Sequence, residues 1–160
     1  MRCKPRRHSR HTERNRFQKT LKKIYTLGTS RRSEEDFIEI LLFYDIKTVI
    51  DVRRFPKSKL QTYTKEYLQT LLSREGIAYF FLGMELGGFR KGGYEAYTNT
   101  EDFKKGIDKL EGIAAEDQAV IICAERFPWK CHRRWIAREL HGKGRLVEHI
   151  IDKGKVWTPK

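Results

Sequence analysis

The run Ala119-Val-Ile-Ile-Cys123 constrains the fold more than any other segment of this chain. It is uncharged and apolar, as in a strand buried on both faces. Trp135, Ile136 and Leu140 follow at helical spacing, so a helix is expected from about Cys131 or His132. Between them lies the polar loop Ala124 to Lys130, containing Glu125, Arg126, Pro128 and Lys130. A buried strand, a loop and a helix make half of a βαβ unit. Ligands of open α/β sheets bind beyond the carboxyl ends of the strands, where this loop would sit. The N-terminus of its helix would favour an anion.

The same alternation recurs along the chain. Ile24 to Gly28 reads as a first strand, ending in the turn Gly28-Thr-Ser30. Ser33, with Asp36 three residues on, caps a helix running to about Tyr44. Lys47 to Val52 is a second strand with Asp51 and Arg53 at its carboxyl end. Thr64 caps a helix over Lys65 to Arg74, ending before Gly76. Ile77 to Leu82 is a third strand. Five glycines then fall between Gly83 and Gly93, which reads as a lid carrying Arg90 and Lys91, with Tyr94 and Tyr97 after it. No Gly-Lys-Ser or Gly-Lys-Thr follows, so it is not a P-loop. Thr100 caps a helix over Glu101 to Ala115, and Leu146 to Ile151 is a fifth strand. The order implies one α/β domain with a mainly parallel sheet of about five strands and helices on both faces.

Charge divides the chain. Residues 1–23 hold ten Lys or Arg against one acid, Glu13, and so carry +9 of the net +13. They are expected to form a disordered basic arm before a domain spanning 24–160. Arg6, Arg7, Arg10, Arg14 and Arg16 would contact nucleic acid phosphates, or simply be a solubilising tail. No run is long and apolar enough for a membrane span, and the basic start lacks the apolar segment of a secretory signal. Three cysteines without a disulfide-like framework favour a reducing, cytoplasmic setting.

Several short motifs, in this order, resemble the DUF488 family. They are Tyr25-Thr-Leu-Gly-Thr-Ser30, Asp51-Val-Arg53 with Pro56 and Ser58, Leu86-Gly-Gly with Arg90, Cys123-Ala-Glu125 with Pro128, Cys131-His-Arg133, and Val147-Glu-His-Ile150. The resemblance covers about Ile24 to Ile151. It implies an α/β fold and one site built from these loops, and supplies no established reaction. In a parallel sheet the loops share an edge. Thr29, Ser30, Arg53, Arg90, Cys131 and Arg133 would then form an anion pocket for a phosphate-bearing small molecule or nucleic acid.

Four chemistries fit these residues. In the first, arginines hold a nucleotide-like substrate, Glu125 or Asp51 acts as acid or base, and His132 transfers protons. In the second, Cys123 is a nucleophile; Asp51-Val-Arg53 followed by a strand-ending cysteine is loosely similar to rhodanese domains. The loop, with Phe127, Pro128 and Trp129, departs from the tight rhodanese loop, and neither Cys123 nor Cys131 has the arginine six residues on that phosphatases use. The third, zinc held by Cys123, Cys131, His132 and His149, is disfavoured because adjacent Cys131 and His132 rarely share one metal. The fourth is a non-enzymatic nucleic-acid-binding module using the arm, Arg54 to Lys59, Phe127 and Trp129. No cofactor is expected. A Cys123–Cys131 disulfide is open on spacing and disfavoured in a reducing compartment.

Overall fold

The computed structural model describes residues 23–56 and 63–159. Among them lie six strands: β1 (Ile24–Gly28), β2 (Thr48–Asp51), β3 (Ala78–Phe81), β4 (Ala119–Cys123), β5 (Val147–Asp152) and β6 (Lys155–Trp157). They form one sheet in the order β3-β2-β4-β1-β5-β6. Every pairing is parallel except the antiparallel β5–β6 pair at one edge. The helices are α1 (Glu34–Phe43), α2 (Lys65–Arg74), α3 (Gly83–Leu86), α4 (Tyr94–Tyr97), α5 (Glu101–Ala114) and α6 (Arg133–Gly142). The residues set aside for an arm–phosphate interface, Arg6, Arg7, Arg10, Arg14 and Arg16, lie outside the described residues, as does 57–62.

Strand alternation sorts the core into two layers. Val120 and Ile122 of β4 face one way, with Tyr25, Leu27 and Val49, and pack against Phe37, Ile40 and Leu41 of α1 and Leu68 and Leu72 of α2. Ala119, Ile121 and Cys123 face the other way, with Ile24 and Val147, against Phe103, Ile107 and Leu110 of α5 and Ile136 and Leu140 of α6. All five residues of β4 are buried. An apolar strand without alternation is what a central parallel position demands.

Caps fix where the helices begin. Ser33 accepts a hydrogen bond from the Asp36 N–H at 3.1 Å, and Thr100 accepts one from the Phe103 N–H at 3.2 Å. The expected sheet of about five mainly parallel strands is present, with β6 added at its edge. β6 is three residues long and follows a turn through Gly154 (φ 74°). So short an exposed edge strand has little periodicity to read.

The glycine-rich stretch is tied down rather than free to act as a lid. Tyr94 and Tyr97 donate their hydroxyls to the Leu86 and Glu85 carbonyls, and Arg90 donates to the Gly87 and Met84 carbonyls. Both tyrosines pack on the α5–α6 layer.

One glycine is required by close approach. A Cβ on Gly28 would run into the Glu125 carbonyl and the Arg126 backbone, because the end of β1 passes directly under the loop after β4. Gly28→Ala is therefore expected to cost about 1–3 kcal/mol. Urea unfolding checks this; a loss below a few tenths would show that the loop moves aside freely.

Candidate functional site

The loop after β4 is held from below and from within. Thr29 and Ser30 donate their peptide N–H groups to the Cys123 and Ala124 carbonyls, both at 2.9 Å. The chain turns through Phe127, makes a 3₁₀ turn over Pro128–Lys130, and reaches Cys131. This return brings Cys131 back over the end of β4. Cys123 and Cys131 are paired sulfur to sulfur, with Cα atoms 7.6 Å apart, wider than the about 4.4–6.8 Å of most disulfides. The reducing compartment inferred from the sequence argued against this pairing. The return of the loop provides it. Both cysteines are buried, Cys123 at 1% exposure and Cys131 at 6%.

Arg133, the first residue of α6, is fully buried and reaches into the same space. Its Nη1 donates to Cys123 Sγ at 2.8 Å and to the Glu125 carbonyl at 2.6 Å. Its Nη2 donates to the Arg126 carbonyl at 2.9 Å, while Nε has no partner among the described residues. Among the described residues no carboxylate makes an ion pair with it. Burial, then the charge of Arg32, push its pKa down to about 10, with Glu125 pulling the other way. It is therefore a cation at neutral pH, and a buried cation without an anion is costly. The acceptor beside it that can become an anion is the Cys123 sulfur.

His132 completes the group. Its Nε2 donates to the Val52 carbonyl at 3.0 Å, so the remaining nitrogen, Nδ1, is an acceptor facing Cys131 Sγ at 3.6 Å. The Tyr94 ring packs on it at 5.1 Å. Gly88 closes over Nδ1, where a Cβ would come within 3.1 Å. Burial chiefly lowers the His132 pKa to about 4. Neutral His132 thus offers Cys131 a hydrogen-bond acceptor.

Other residues singled out by the sequence go elsewhere. Asp51 has the parity of Val49 and points to the α1–α2 layer, opposite Cys123. Arg53 Nε and Nη2 bond its two carboxylate oxygens at 2.9 and 2.8 Å, and Tyr79 donates to the same group at 2.6 Å. Nη1 of Arg53 donates to the Tyr63 carbonyl at 2.6 Å. Burial pulls Arg53 down, but its bonds to Asp51 outweigh that and raise its pKa. Arg90 lies over the Tyr97 ring at 3.9 Å, donating to loop carbonyls. Glu125 is exposed, and its backbone carbonyl serves the site. Thr29 is buried and Ser30 exposed, both beside the loop through their peptide groups. The structure thus brings together Cys123, Cys131, His132 and Arg133, and leaves Asp51, Arg53 and Arg90 in separate sets of contacts.

A family model described as a domain of unknown function, DUF488, matches residues 33–140, more than half of the chain. The chain belongs to the DUF488 family. No curated protein matches the sequence. The DUF488 segment contains Cys123, Cys131, His132 and Arg133, while β1 and β5 flank the matched residues and β1 supplies Gly28 beneath the loop. Among the described residues no group of three His, Cys, Asp or Glu side chains could hold a metal ion, and no helix is long and apolar enough to cross a membrane.

Three participants escaped the sequence reading. Arg32 is buried, donating from Nε to the Gly28 carbonyl at 2.7 Å and from Nη2 to the Ile151 carbonyl at 2.6 Å, which locks β1 to β5. Tyr63 and Tyr79 complete the Asp51–Arg53 set. The Ile151 carbonyl and Asp51 lie far in sequence from Arg32 and Tyr79, so no local pattern announces those contacts. His149, considered earlier only as a zinc ligand, is 1% exposed, and its Nδ1 shares a 2.6 Å hydrogen bond with Thr26 Oγ1. Burial, then the Arg133 charge, push its pKa down to about 4.

The two histidines set an acid limit. Each is depressed from 6.5 to about 4 in the fold, so between these pH values the unfolded chain binds more protons and stability rises with pH. The contribution is complete above about pH 6.5 and lost as pH falls toward 4, at about 3 kcal/mol per histidine. Urea unfolding from pH 7 to pH 4 should show this slope, shallower in His149→Asn. An unchanged slope in that variant would contradict it.

Proposed function

We propose that Cys123 and Cys131 form a redox-active dithiol–disulfide centre that exchanges with thiols and disulfides, with Cys123 as the stabilised thiolate. The observation that carries this is the buried Arg133 guanidinium, 2.8 Å from Cys123 Sγ and, among the described residues, without a carboxylate partner. A neighbouring cation lowers a thiol pKa. His132 keeps Cys131 distinct by accepting a hydrogen bond from its thiol rather than supplying positive charge.

The roles follow from geometry. Cys131 is the less deeply buried residue of the two, so an external thiolate attacks there. The Cys123–Cys131 bond breaks and its electron pair leaves on Cys123, beside Arg133. A lower-pKa sulfur is the better leaving group. A second external thiolate attacks the mixed disulfide at the incoming sulfur. This releases the oxidised external disulfide and leaves Cys131, which takes a proton from water. Two external thiolates have lost two electrons and the protein has gained them. The reverse sequence oxidises the protein with a disulfide. A compartment with a pool of small thiols is where such a centre would cycle. A phosphate held at the strand ends, the other chemistry suggested by the sequence, would compete for Arg53, Arg90 and Arg133 with the protein acceptors they bond.

Trapping tests this reading. In a Cys3→Ser background, Cys123→Ser treated with oxidised glutathione should accumulate one glutathionyl adduct on Cys131, because nothing resolves it. The protein with both Cys123 and Cys131 should end as the internal disulfide without adduct. A persistent adduct on that protein, or none on either, would sink the proposal. Intact mass reads every outcome.

A further inference from the structure

A second feature lies between α6, the 3₁₀ turn and the β5–β6 hairpin, and shares no lining residue with the cysteine pair. It is a cavity of about 470 Å³. All three tryptophans of the chain, Trp129, Trp135 and Trp157, line it, with Arg134, Arg138 and His149. The volume falls in the range of small-molecule sites.

Its walls are aromatic and its charge is positive. Trp129 and Trp157 meet edge to face at 5.3 Å, and Phe127 stacks on Trp129 at 4.9 Å with an interplanar angle of 13°. His149 lies against Trp157 at 5.5 Å. Arg134 and Arg138 place their guanidiniums 4.9 and 5.1 Å from the centre of the Trp135 ring. Two cations at i and i+4 on an exposed helix face repel one another, and an anion between them relieves this. Among the described residues no acidic side chain lines the cavity. His149 is a buried polar group on the wall, and Thr26 occupies its Nδ1, leaving Nε2 as the nitrogen for a ligand.

We infer that this cavity binds a nucleotide, with the base among Trp129, Trp135 and Trp157, a base edge at His149 Nε2, and the phosphate at Arg134 and Arg138. A flat heteroaromatic ring bearing an anion answers each wall: indoles stack on any base, and guanidinium pairs with phosphate. Arg134 also donates to the Trp129 carbonyl at 3.1 Å, and an aliphatic ligand would offer His149 Nε2 nothing to bond and the two arginines no counter-charge. The inference does not depend on the thiol chemistry, because the cavity and the cysteines share no lining residue.

The test titrates the full chain with AMP, CMP, GMP and UMP, following tryptophan emission and calorimetric heat. Adenosine and inorganic phosphate serve as the half-ligands. Nucleotides should bind saturably, with adenosine about tenfold weaker for want of the phosphate contacts. Arg138→Gln should weaken nucleotides about tenfold and leave adenosine unchanged. Trp135→Leu should weaken both. Each variant replaces a side chain that is not fully buried, and matching wild-type circular dichroism and Tm confirm folding. A short single-stranded oligonucleotide that competes with AMP and loses affinity in both variants would make the nucleotide part of a strand and support the same site. Absence of saturable nucleotide binding would overturn the inference. Binding unaffected by both variants would overturn it too, including oligonucleotide binding lost only on removal of residues 1–22.

Discussion

Arg133→Met should raise the Cys123 thiol pKa toward or above its ordinary value of about 8.5 and slow alkylation at neutral pH by about tenfold or more. The same change should lower the reduction potential of the cysteine pair by about 30–60 mV. The sign follows from which state Arg133 favours. In the disulfide, the guanidinium faces a weak acceptor sulfur; in the reduced form it faces a thiolate. Arg133 therefore favours the reduced form, and removing it favours the oxidised one. The Glu125 and Arg126 carbonyls also lose their donor, so the reduced variant should be less stable by about 2–4 kcal/mol. Arg133→Lys should restore part of the thiol pKa depression, because it retains a charge without the fork that spans sulfur and two carbonyls. Iodoacetamide kinetics against pH, with urea unfolding of reduced and oxidised forms, measures all three effects. An unchanged thiol pKa in Arg133→Met would remove the basis for the Cys123 thiolate.

Asp51→Ala should destabilise the fold by about 3–5 kcal/mol while leaving thiol reactivity of the folded protein unchanged. Asp51 is fully buried and Arg53 only 6% exposed, so the substitution strands a buried guanidinium. It also leaves the Tyr79 hydroxyl without its acceptor. The double change Asp51→Ala with Arg53→Met removes the stranded charge and should recover part of the loss. A fall in thiol reactivity matching the fall in stability would instead place Asp51 in the chemistry, as one reading of the sequence had it. Urea unfolding beside alkylation rates separates the two.

The fold was legible where local signals and tertiary needs agree. The uncharged run Ala119–Cys123 could serve only as a buried strand, and it sits at the centre of the sheet between β1 and β2. Ser33 and Thr100 announced their helices through caps that form as expected. The cluster Cys123, Cys131, His132 and Arg133 was visible because one strand–loop–helix segment carries all four. What it does was not, because the roles depend on which acceptors each side chain finds. Arg53 and Arg133 are both arginines near strand ends, yet one neutralises Asp51 and the other faces a sulfur. Strand parity decides this, by sending Asp51 and Cys123 to opposite faces. The tryptophan cavity was illegible for a related reason. Trp129, Trp135 and Trp157 come from a turn, a helix and an edge strand that only the sheet order brings together.

The most direct test is an equilibrium titration of the Cys3→Ser protein in glutathione buffers of graded potential, with free thiols at Cys123 and Cys131 counted by maleimide mass shift. The redox-centre account predicts one two-electron transition in which both thiols disappear together. Its midpoint should be more oxidising than the roughly −270 mV of a thioredoxin-type pair, because Arg133 stabilises the reduced form. Two thiols that persist at every potential, or that acquire glutathione independently, would contradict it.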